Sequence, residues 1–386
     1  MRIAYTTNVR LPSERAHGHQ VAQVCDALVC LGHDVTIFAP FRKNIVQSDY
    51  WDYYNASKEI KLRHLGSFDP ITSKIFPGVT GLFMLNALLR RSLRRELKDH
   101  HFDCIYTRSP ALLSALLPTN LPVILELHQL PRRGKATFVR QCHRCRLVSC
   151  LTSPMRDVLL SWGVPEEKLI VAGDAVDLAR FSQMPPKEQS RAEFKLQTER
   201  LVIGYVGRLK TLGMEKGVAY LLEALKDLQE QHAFFGFVVG GPEREKKEYE
   251  AMAAKLGLTQ TDVLFTGEIL SYAVPIALAA CDILVMPFPD LPHYRLHMSP
   301  LKMFEYMAAG KIIITSDLPT VRDVLSHETA VFCKPGDIQS LVAALRWVKE
   351  HPEEAHERAR KARELVKLHT WEERMRRILD AATISA

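Results

Sequence analysis

The segment SPLKMFEYMAAG (residues 299–310) places a carboxylate on a predicted helix that is otherwise largely apolar. Glu305 shares one face of this helix with Leu301 and Phe304, so the face should be buried. A buried carboxylate costs on the order of several kcal/mol unless a partner meets it. The pattern therefore predicts that Glu305 holds a ligand. The alternative is an ion pair with Lys302, three residues earlier on the helix.

The start of the same segment has the residue types of an anion-binding helix N-terminus. Ser299 is a good N-cap, and Pro300 is favoured at the first helical position. Together with Leu301 they predict a helix start whose free amides and positive dipole end could hold a phosphate. A nucleotide lying along this start would present its diphosphate to the amides and its ribose diol to Glu305.

Two further loops carry residues suited to phosphate. GYVGRLKTLGMEKG (residues 204–217) joins a predicted strand to a predicted helix and contains Arg208 and Lys216. An arginine fork and a lysine point charge can neutralise a diphosphate, including one that leaves during bond cleavage. Gly18, at a helix entry near the N-terminus, could let a phosphate approach the backbone. For Arg208 and Lys216 the alternative is a basic loop that is merely solvated. For Gly18 the alternative is an ordinary loop glycine.

These residues are positioned by two successive series of strands and helices. The first series contains the strand-like runs RIAYTT, DVTIFA, DCIYT, PVILEL and LVSCLT, and the second contains LVIGYVG, FFGFVVGG, DVLFTG, DILVMP and KIIITS. Helices are predicted at His17–Leu31 and Gly217–Gln229. Such alternation predicts two doubly wound parallel sheets with a cleft between them. The polar segment Ser182–Arg200, with two adjacent prolines, is typical of an interdomain connection.

Composition limits the class of protein. A chain of 386 residues with 47% hydrophobic and 25% charged residues is long enough for two cores. It has no apolar run long enough to span a bilayer and no charged leader, so we expect a cytoplasmic protein. The net charge of +7 favours an anionic partner, but no nucleic-acid-binding signature is present. The only C-x-x-C pair, Cys142 and Cys145, is predicted to be structural, with metal or redox chemistry as the alternative.

The motifs together resemble the retaining nucleotide-sugar transferases of glycosyltransferase family 4, which have the GT-B fold. The resemblance extends over essentially the whole chain. Its motifs are the Gly18 loop, GHDVTIFAP, LELH, GDAVDLARF, GYVGRL with EKG, VVGGP, FTGEI, DILVMP, SPLKMFEYMAAGK and HTWEER. Each motif is weak by itself, whereas their order and spacing are specific.

The resemblance implies a fold and a set of domains. The fold is α/β, of the GT-B type, with two Rossmann-like doubly wound parallel-sheet domains that face a central cleft. Residues 1–180 would form the acceptor-side domain, 181–200 the linker and 201–365 the donor-binding domain. Residues 366–386 would form a C-terminal helix that packs back on the first domain.

The resemblance also implies roles for individual residues. Arg208 and Lys216 would bind the donor diphosphate, together with Gly18 and the helix start at Ser299, Pro300 and Leu301. Glu305 would bind the ribose, the backbone around Ile269 would meet the nucleobase, and His128 would lie beside the reacting sugar. His128, Arg208 and Lys216 are the expected catalytic residues. For His128 the alternative is a packed, hydrogen-bonded histidine at a strand end.

One departure from the family pattern concerns the donor sugar. The family often has a glutamate eight residues before the position of Glu305, where it binds donor-sugar hydroxyls. This chain has His297 there, which makes His297 the candidate for the sugar and leaves the sugar unassigned. A smaller departure is Asp174-Ala175, where Asn-Gly or Asp-Gly is common.

The expected partners follow from these assignments. We expect a nucleotide-sugar donor, with UDP-sugar ahead of GDP-sugar, and a glycan or lipid-linked acceptor. Without a D-x-D motif, neither a metal nor a cofactor is expected. The basic segment 86–101 predicts an amphipathic helix that would suit either an anionic membrane at the inner face or plain solvent.

Two rival functions remain open from the sequence. A nucleotide-sugar epimerase or hydrolase of the same fold would release nucleotide without a second sugar. A non-catalytic nucleotide-sugar binding module would need no group to stabilise a leaving diphosphate. The transferase is favoured, in bacterial surface-polysaccharide or glycolipid assembly.

Overall fold

The first part of the chain forms a seven-stranded parallel sheet covered by helices. The computed structural model describes residues 1–14, 16–66, 69–72, 78–196 and 198–383. The strands are β1 (Arg2–Thr6), β2 (Asp34–Pro40), β3 (Lys61–Leu65), β4 (Cys104–Thr107), β5 (Val123–Leu127), β6 (Leu147–Cys150) and β7 (Leu169–Val171). The helices are α1 (Ala16–Cys30), α2 (Tyr50–Tyr54), α3 (Val79–Asp99), α4 (Leu113–Leu116), α5 (Lys135–Arg144) and α6 (Ser153–Ser161). The strand order is β3-β2-β1-β4-β5-β6-β7.

The second part forms a six-stranded parallel sheet in the order β12-β11-β8-β13-β14-β15 and a small antiparallel pair, β10-β9. Its strands are β8 (Leu201–Val206), β9 (Lys210–Thr211), β10 (Met214–Glu215), β11 (Phe234–Val239), β12 (Val263–Gly267), β13 (Ile283–Met286), β14 (Ile312–Ser316) and β15 (Val331–Cys333). Its helices are α7 (Lys187–Glu193), α8 (Val218–Leu228), α9 (Glu243–Lys255), α10 (Val274–Ala279), α11 (Pro292–Leu296), α12 (Leu301–Ala308), α13 (Pro319–Arg322), α14 (Ile338–Glu350) and α15 (Pro352–Leu365). The last helix is α16 (Trp371–Thr383).

The chain divides into two compact units. Met1–Gly173 and the chain from Trp371 onward form the first unit, and Asp174–Thr370 forms the second. Helix α16 packs against α1 of the first unit. The segment at 181–200, for which the sequence suggested a linker, contains α7. This helix packs on α10, and Arg191 pairs with Asp282 at 2.6 Å, so the segment is part of the second unit.

The predicted fold class, two parallel α/β domains, is confirmed. The long apolar runs form the inner strands because strands covered by helices on both faces must be apolar on both faces. In β8, Val202 and Val206 join the core on one face, whereas Ile203 and Tyr205 join the core on the other. The edge strands β3, β7 and β15 were not predicted. Strands β7 and β15 have only three residues each, and β3 (KLRHL) is largely polar because no strand of the described residues pairs with one of its edges.

The cysteines of the C-x-x-C pair are reduced and lie in the core of the first unit. Cys142 and Cys145 are fully buried among the side chains that α5 packs against the sheet. Burial raises the pKa of the Cys145 thiol to about 12, so that thiol is inert at neutral pH. No helix within the described ranges has the length and hydropathy needed to cross a bilayer.

Candidate functional site

The loop after β8 folds back on itself and brings two cations together. Strands β9 and β10 pair as an antiparallel hairpin, with Lys210 opposite Glu215. Arg208 precedes this hairpin and Lys216 follows it, so both lie at its open end. Burial, and then the field of Arg208, lower the pKa of Lys216 to about 8. The structure therefore places these two predicted residues at the same end of the hairpin, where the charge of Arg208 acts on Lys216.

The end of this loop is fixed by Gly217 and Glu215. Gly217 has a φ of +97°, and a Cβ there would lie 1.9 Å from the carbonyl oxygen of Pro287, so only glycine fits. The Glu215 carboxylate accepts the amides of Gly217 at 2.8 Å and of Ala219 at 3.3 Å. The Tyr249 hydroxyl also donates to it. Glu215 therefore holds the start of α8 instead of neutralising the cations of the loop.

Lys302, in the first turn of α12, is a third cation that the sequence suggested only as a partner for Glu305. Its side chain is 7% exposed, and its Nζ has no hydrogen-bond partner among the described residues. The Nζ lies 3.5 Å from the centre of the Tyr205 ring, and a Cβ on Gly207 would lie 3.2 Å from it. Burial, and then the field of Lys216, hold the pKa of Lys302 well below its usual value, although Glu305 opposes this. The Lys302 amine therefore faces the loop after β8, and no carboxylate of the described residues forms an ion pair with it.

The start of α12 differs in detail from the prediction. Pro300 has an extended backbone, with φ −83° and ψ 120°, and the helix begins at Leu301. The predicted N-cap role of Ser299 is wrong, because its hydroxyl accepts the Asp174 amide at 2.7 Å. Proline has no N–H, so the amides available at this helix start are those of Leu301 and Lys302. The helix start therefore has free amides, as predicted, but it lies later in the chain than Ser299 implied.

Glu305 does not form the ion pair with Lys302 that the sequence offered as the alternative. Its nearest cation is Arg180, whose Nη1 lies 3.8 Å from Glu305 Oε1. Burial raises the pKa of Glu305, and Arg180 opposes this. Arg180 also donates to the carbonyl and the hydroxyl of Ser271, at 2.8 and 3.0 Å. Because Ser271 follows Ile269 by two residues, Arg180 ties the predicted nucleobase loop to the predicted ribose residue.

Ile269 lies in the loop after β12. Its side chain is half-buried and packs against the core on one face of the second sheet. The next residue, Leu270, is exposed. The backbone of this loop is therefore held in place by an apolar anchor while its neighbours face solvent, which is suitable for binding a flat base.

His297 follows α11, whose first turn carries His293. The ring centres of the two histidines are 6.0 Å apart, and His297 Nδ1 is buried without a partner in the described part of the chain. Burial, and then the neighbouring His293, lower the pKa of His297 to about 4. His293 in turn feels the field of Lys216. The neutral imidazole of His297 thus lies four residues before Leu301, the first residue of α12, and has one ring nitrogen without a partner among the described residues.

In the first unit, His128 follows β5 and belongs to a buried charged network. Its Nε2 contacts the carboxylate of Glu126, which points to the same face of the strand two residues earlier. Glu126 is 2% exposed and also accepts a hydrogen bond from the Tyr106 hydroxyl. Arg374 of α16 reaches Glu126 Oε2 at 2.9 Å and donates to the carbonyl of Gly173 at 2.6 Å.

The network fixes the protonation of His128. Burial raises the pKa of Glu126, but Arg374 and His128 outweigh it, so the carboxyl group stays ionised well below its usual range. Burial and the field of Arg108 lower the pKa of His128 to about 4, although Glu126 opposes this. A neutral imidazole beside an ionised carboxylate must donate through Nε2. The other nitrogen, Nδ1, is then an acceptor available for a hydroxyl group.

Gly18 lies in the first turn of α1 and is needed for packing. A Cβ at this position would lie 2.1 Å from the Tyr54 hydroxyl and 2.8 Å from the Ser13 carbonyl oxygen. That hydroxyl donates to the same carbonyl at 2.8 Å and accepts the Ser13 amide at 2.6 Å. This contact gives the glycine a packing role within a helix, whereas the sequence offered an ordinary loop glycine as the alternative to the phosphate role.

Four residues of these arrangements were missed as functional candidates: Arg180, Lys302, Glu126 and Arg374. A signal existed for two of them. Glu126 interrupts the apolar run VILEL, and Lys302 lies on the same apolar helix as Glu305, so the reasoning applied to Glu305 would have identified both. Arg180 and Arg374 lie inside the motifs GDAVDLARF and HTWEER, but neither motif reveals that Arg180 lies beside Glu305 or that Arg374 is buried.

Two family models match successive parts of the chain. The model described as Glycosyltransferase Family 4 matches residues 18–180, and that described as Glycosyl transferases group 1 matches residues 186–365. The boundary between them falls close to the division between the two compact units. Most of the chain is thus matched by the two models together.

Individual relatives are distant. The 2-deoxystreptamine glucosyltransferase of Streptomyces kanamyceticus is 29% identical over 209 residues, which are 53% of this chain and 51% of the relative. The putative teichuronic acid biosynthesis glycosyltransferase TuaC of Bacillus subtilis is 26% identical over 271 residues, 68% of this chain and 63% of the relative. The match to the first of these relatives therefore spans only about half of that protein's length.

A solved structure agrees with the fold over the full length. The crystal structure of Anabaena Alr3699/HepE in complex with UDP-glucose superposes with a TM-score of 0.72, at 16% identity, over 99% of each chain. At this identity the likeness concerns the fold alone. This likeness and the two parallel sheets show the GT-B fold. The two family models, which together match residues 18–180 and 186–365, show that the chain belongs to the family 4 glycosyltransferases.

Proposed function

We propose that the protein is a retaining glycosyltransferase that moves a sugar from a nucleoside diphosphate sugar to a glycan or lipid-linked acceptor. The observation that carries the proposal is the group of three cations, Arg208, Lys216 and Lys302, at the loop after β8 and the start of α12. Lys302 is buried without a hydrogen-bond partner among the described residues, and the pKa of Lys216 is lowered to about 8 by burial and Arg208. Such a group is costly to assemble and suits an anion of high charge.

The chemistry of the step explains why these cations would matter. The bond between the anomeric carbon and the diphosphate oxygen breaks, and the diphosphate leaves with the electron pair. The acceptor hydroxyl oxygen bonds to the same face of the anomeric carbon, and its proton passes to the departing diphosphate oxygen. Negative charge grows on the diphosphate in the transition state, where preoriented cations and a helix start stabilise it. In this proposal no metal is needed for the step.

The other predicted residues receive matching roles. Glu305 accepts hydrogen bonds from the ribose diol, with Arg180 as its neighbour, and the backbone at Ile269 contacts the base. His297 offers its unused ring nitrogen to a hydroxyl of the donor sugar. His128 accepts a sugar hydroxyl through Nδ1. The complex of the Anabaena protein with UDP-glucose supports a UDP-sugar as the first donor to test, with GDP-sugars next.

A nucleotide-release assay tests the function. The protein is incubated with a panel of UDP- and GDP-sugars in EDTA, with and without simple sugars or a bacterial lipid extract as acceptors. We expect nucleoside diphosphate release that depends on the acceptor and persists in EDTA, and a product that keeps the anomeric configuration of the donor by NMR. Equal release without acceptor would favour the hydrolase or epimerase. Loss of activity in EDTA that manganese restores would contradict a metal-free step.

We further propose that the acceptor is presented at an anionic membrane surface by α3, in surface-glycan or glycolipid assembly. The buried face of α3 carries leucines at four-residue spacing, whereas Val79 and Phe83 are 83% and 70% exposed near its start. Four arginines further along the helix line a cavity of about 540 Å³ together with Ser114, and these are Arg90, Arg91, Arg94 and Arg95. Exposed apolar side chains beside a basic cluster suit a bilayer interface.

Vesicle sedimentation tests the membrane proposal. Replacing the four arginines of α3 with glutamine should abolish binding to phosphatidylserine vesicles, because each basic residue near such a surface contributes about 1 kcal/mol. The matched control neutralises four basic residues of α9 in the second unit (Arg244, Lys246, Lys247 and Lys255) and should bind normally. Wild-type protein that ignores anionic vesicles at low salt would refute the proposal, as would an equal loss in the control.

A further inference from the structure

Lys302 lies in buried, apolar surroundings where packing alone does not require a lysine. The neighbouring residues Met303, Phe304, Tyr306 and Met307 of α12 are fully buried and apolar or aromatic, so an apolar side chain at 302 would fill the same space without desolvating an amine. The stem of Lys302 lies along the Tyr205 ring, and its Nζ ends beside Gly207. A side chain at 207 would block this approach. The amine is thus directed to the backbone from which Arg208 projects.

The charges around Lys302 act in opposite directions. On its own helix, Glu305 favours the ammonium form, but Arg180 competes for that carboxylate. From the loop after β8, Lys216 disfavours it, and the face of the Tyr205 ring favours it. With burial these influences hold the pKa of Lys302 well below its usual value. An anion bound between the loop after β8 and the start of α12 would favour the charged form of Lys302 and so offset the influences that lower its pKa.

We propose that Lys302 is a third phosphate-binding cation of the donor site and that it becomes fully charged only when the donor diphosphate is bound. This inference rests on the proposed function and deepens it, because it makes donor binding a proton-coupled event. On binding, Nζ takes a proton from solvent and donates to a diphosphate oxygen, so one proton enters the site with the anion. Lys216 also takes up protons when the donor binds.

The direction of the coupling follows from linkage. A bound anion raises the pKa of an amine above its value in the free site, so binding takes up protons at pH values between the two pKa values. For Lys216 this window begins near its free pKa of about 8. For Lys302 the window begins at the lowered pKa of its amine in the free site and extends to higher pH. Affinity for the donor should therefore fall as pH rises through this window.

Calorimetric titration at about pH 8 in two buffers of different ionisation heat measures the protons taken up. The probes are UDP-glucose and GDP-mannose, whose phosphates are diesters of constant charge near this pH. We expect proton uptake by the wild type. Lys302→Met should lower the affinity by roughly 10- to 100-fold, as for a lost hydrogen bond to a charged group, and should reduce the uptake.

Two further variants separate this role from a packing role. Lys302→Arg keeps a permanent charge and should retain more affinity than Lys302→Met, with reduced proton uptake. Lys311→Met, at another partly buried lysine of the second unit, removes an amine that donates to the Ala279 carbonyl at 2.8 Å and should leave affinity and uptake unchanged. Thermal melting of each variant shows whether it is folded.

The outcomes distinguish this inference from the function on which it rests. If neither nucleotide sugar binds the wild type, the proposed donor site itself fails, and the role of Lys302 fails with it. If they bind but Lys302→Met keeps wild-type affinity and proton uptake, Lys302 is only a packed amine and the proposed function stands. An affinity that rises in Lys302→Met would overturn the inference as well, because Lys302 would then repel the other cations without assisting the anion.

Discussion

Arg208→Ala should lower turnover by about 100- to 1,000-fold, the range seen when a preoriented group that stabilises transition-state charge is removed. Arg208 lies beside Lys216 at the open end of the β9–β10 hairpin, and its guanidinium is the most exposed cation of the group. Because charge grows on the diphosphate during bond cleavage, the loss should appear more strongly in kcat than in donor binding. Steady-state kinetics with the donor found in the release assay measures both.

The matched control for this variant is Lys210→Ala. Lys210 is in the same loop, but its ammonium pairs with Glu248 at 2.5 Å. We expect its turnover to stay within a few-fold of wild type, since a partly exposed ion pair contributes little. Equal losses in both variants would mean that the loop as a whole was disturbed. An active Arg208→Ala enzyme would remove the arginine from the mechanism.

Arg374→Met should destabilise the first unit by about 3–5 kcal/mol, because it leaves the Glu126 carboxylate buried without its cation. Arg374 is 3% exposed, and its guanidinium also holds the carbonyls of Gly173 and Ala172. Amide hydrogen exchange of the β5 residues follows the opening of this unit separately from the second one. With the counter-ion lost, the pKa of Glu126 should rise and the orientation of His128 should be less fixed.

Two comparisons make this prediction specific. Arg376→Met, on the same helix, removes an exposed arginine that pairs with Glu373. It should lower the stability of the first unit by well under ~1 kcal/mol, because surface ion pairs contribute little. Adding Glu126→Gln to Arg374→Met removes the unpaired charge and should recover part of the lost stability. Comparable losses for Arg374→Met and Arg376→Met would show that the buried network does not stabilise the unit.

The fold could be predicted because helices cover both faces of each sheet. The inner strands are then apolar on both sides, and runs such as LVIGYV and KIIITS are unambiguous. The edge strands Lys61–Leu65 and Leu169–Val171 need not be apolar on both faces, so the sequence shows no long apolar run for them. The sequence predicts a plain loop where the structure has the short hairpin Lys210–Glu215, since strands of two residues have no periodicity to detect.

The proximity of site residues could be predicted from the sequence only where those residues lie on one segment. Arg208 and Lys216 lie on a single loop, so their proximity follows from local geometry. Glu126 and Arg374 are separated by 248 residues, and their pairing depends on where α16 packs. For Glu305, the ion pair with Lys302 was the alternative to ligand binding, and helix spacing made it plausible. Lys302 instead points along the Tyr205 ring, which the sequence alone does not reveal.

Calorimetric titration of nucleotides tests most directly whether the loop after β8 and the start of α12 form the donor site. Wild type, Arg208→Ala and Glu305→Gln are each titrated with UDP, with GDP and with their 2′,3′-dideoxy forms. Our account predicts that Arg208→Ala weakens ordinary and dideoxy nucleotides by the same factor. Glu305→Gln should cost roughly 1 to 3 kcal/mol on an ordinary nucleotide and little on a dideoxy one. Equal losses on both for Glu305→Gln, or a wild type that binds neither diphosphate, would contradict it.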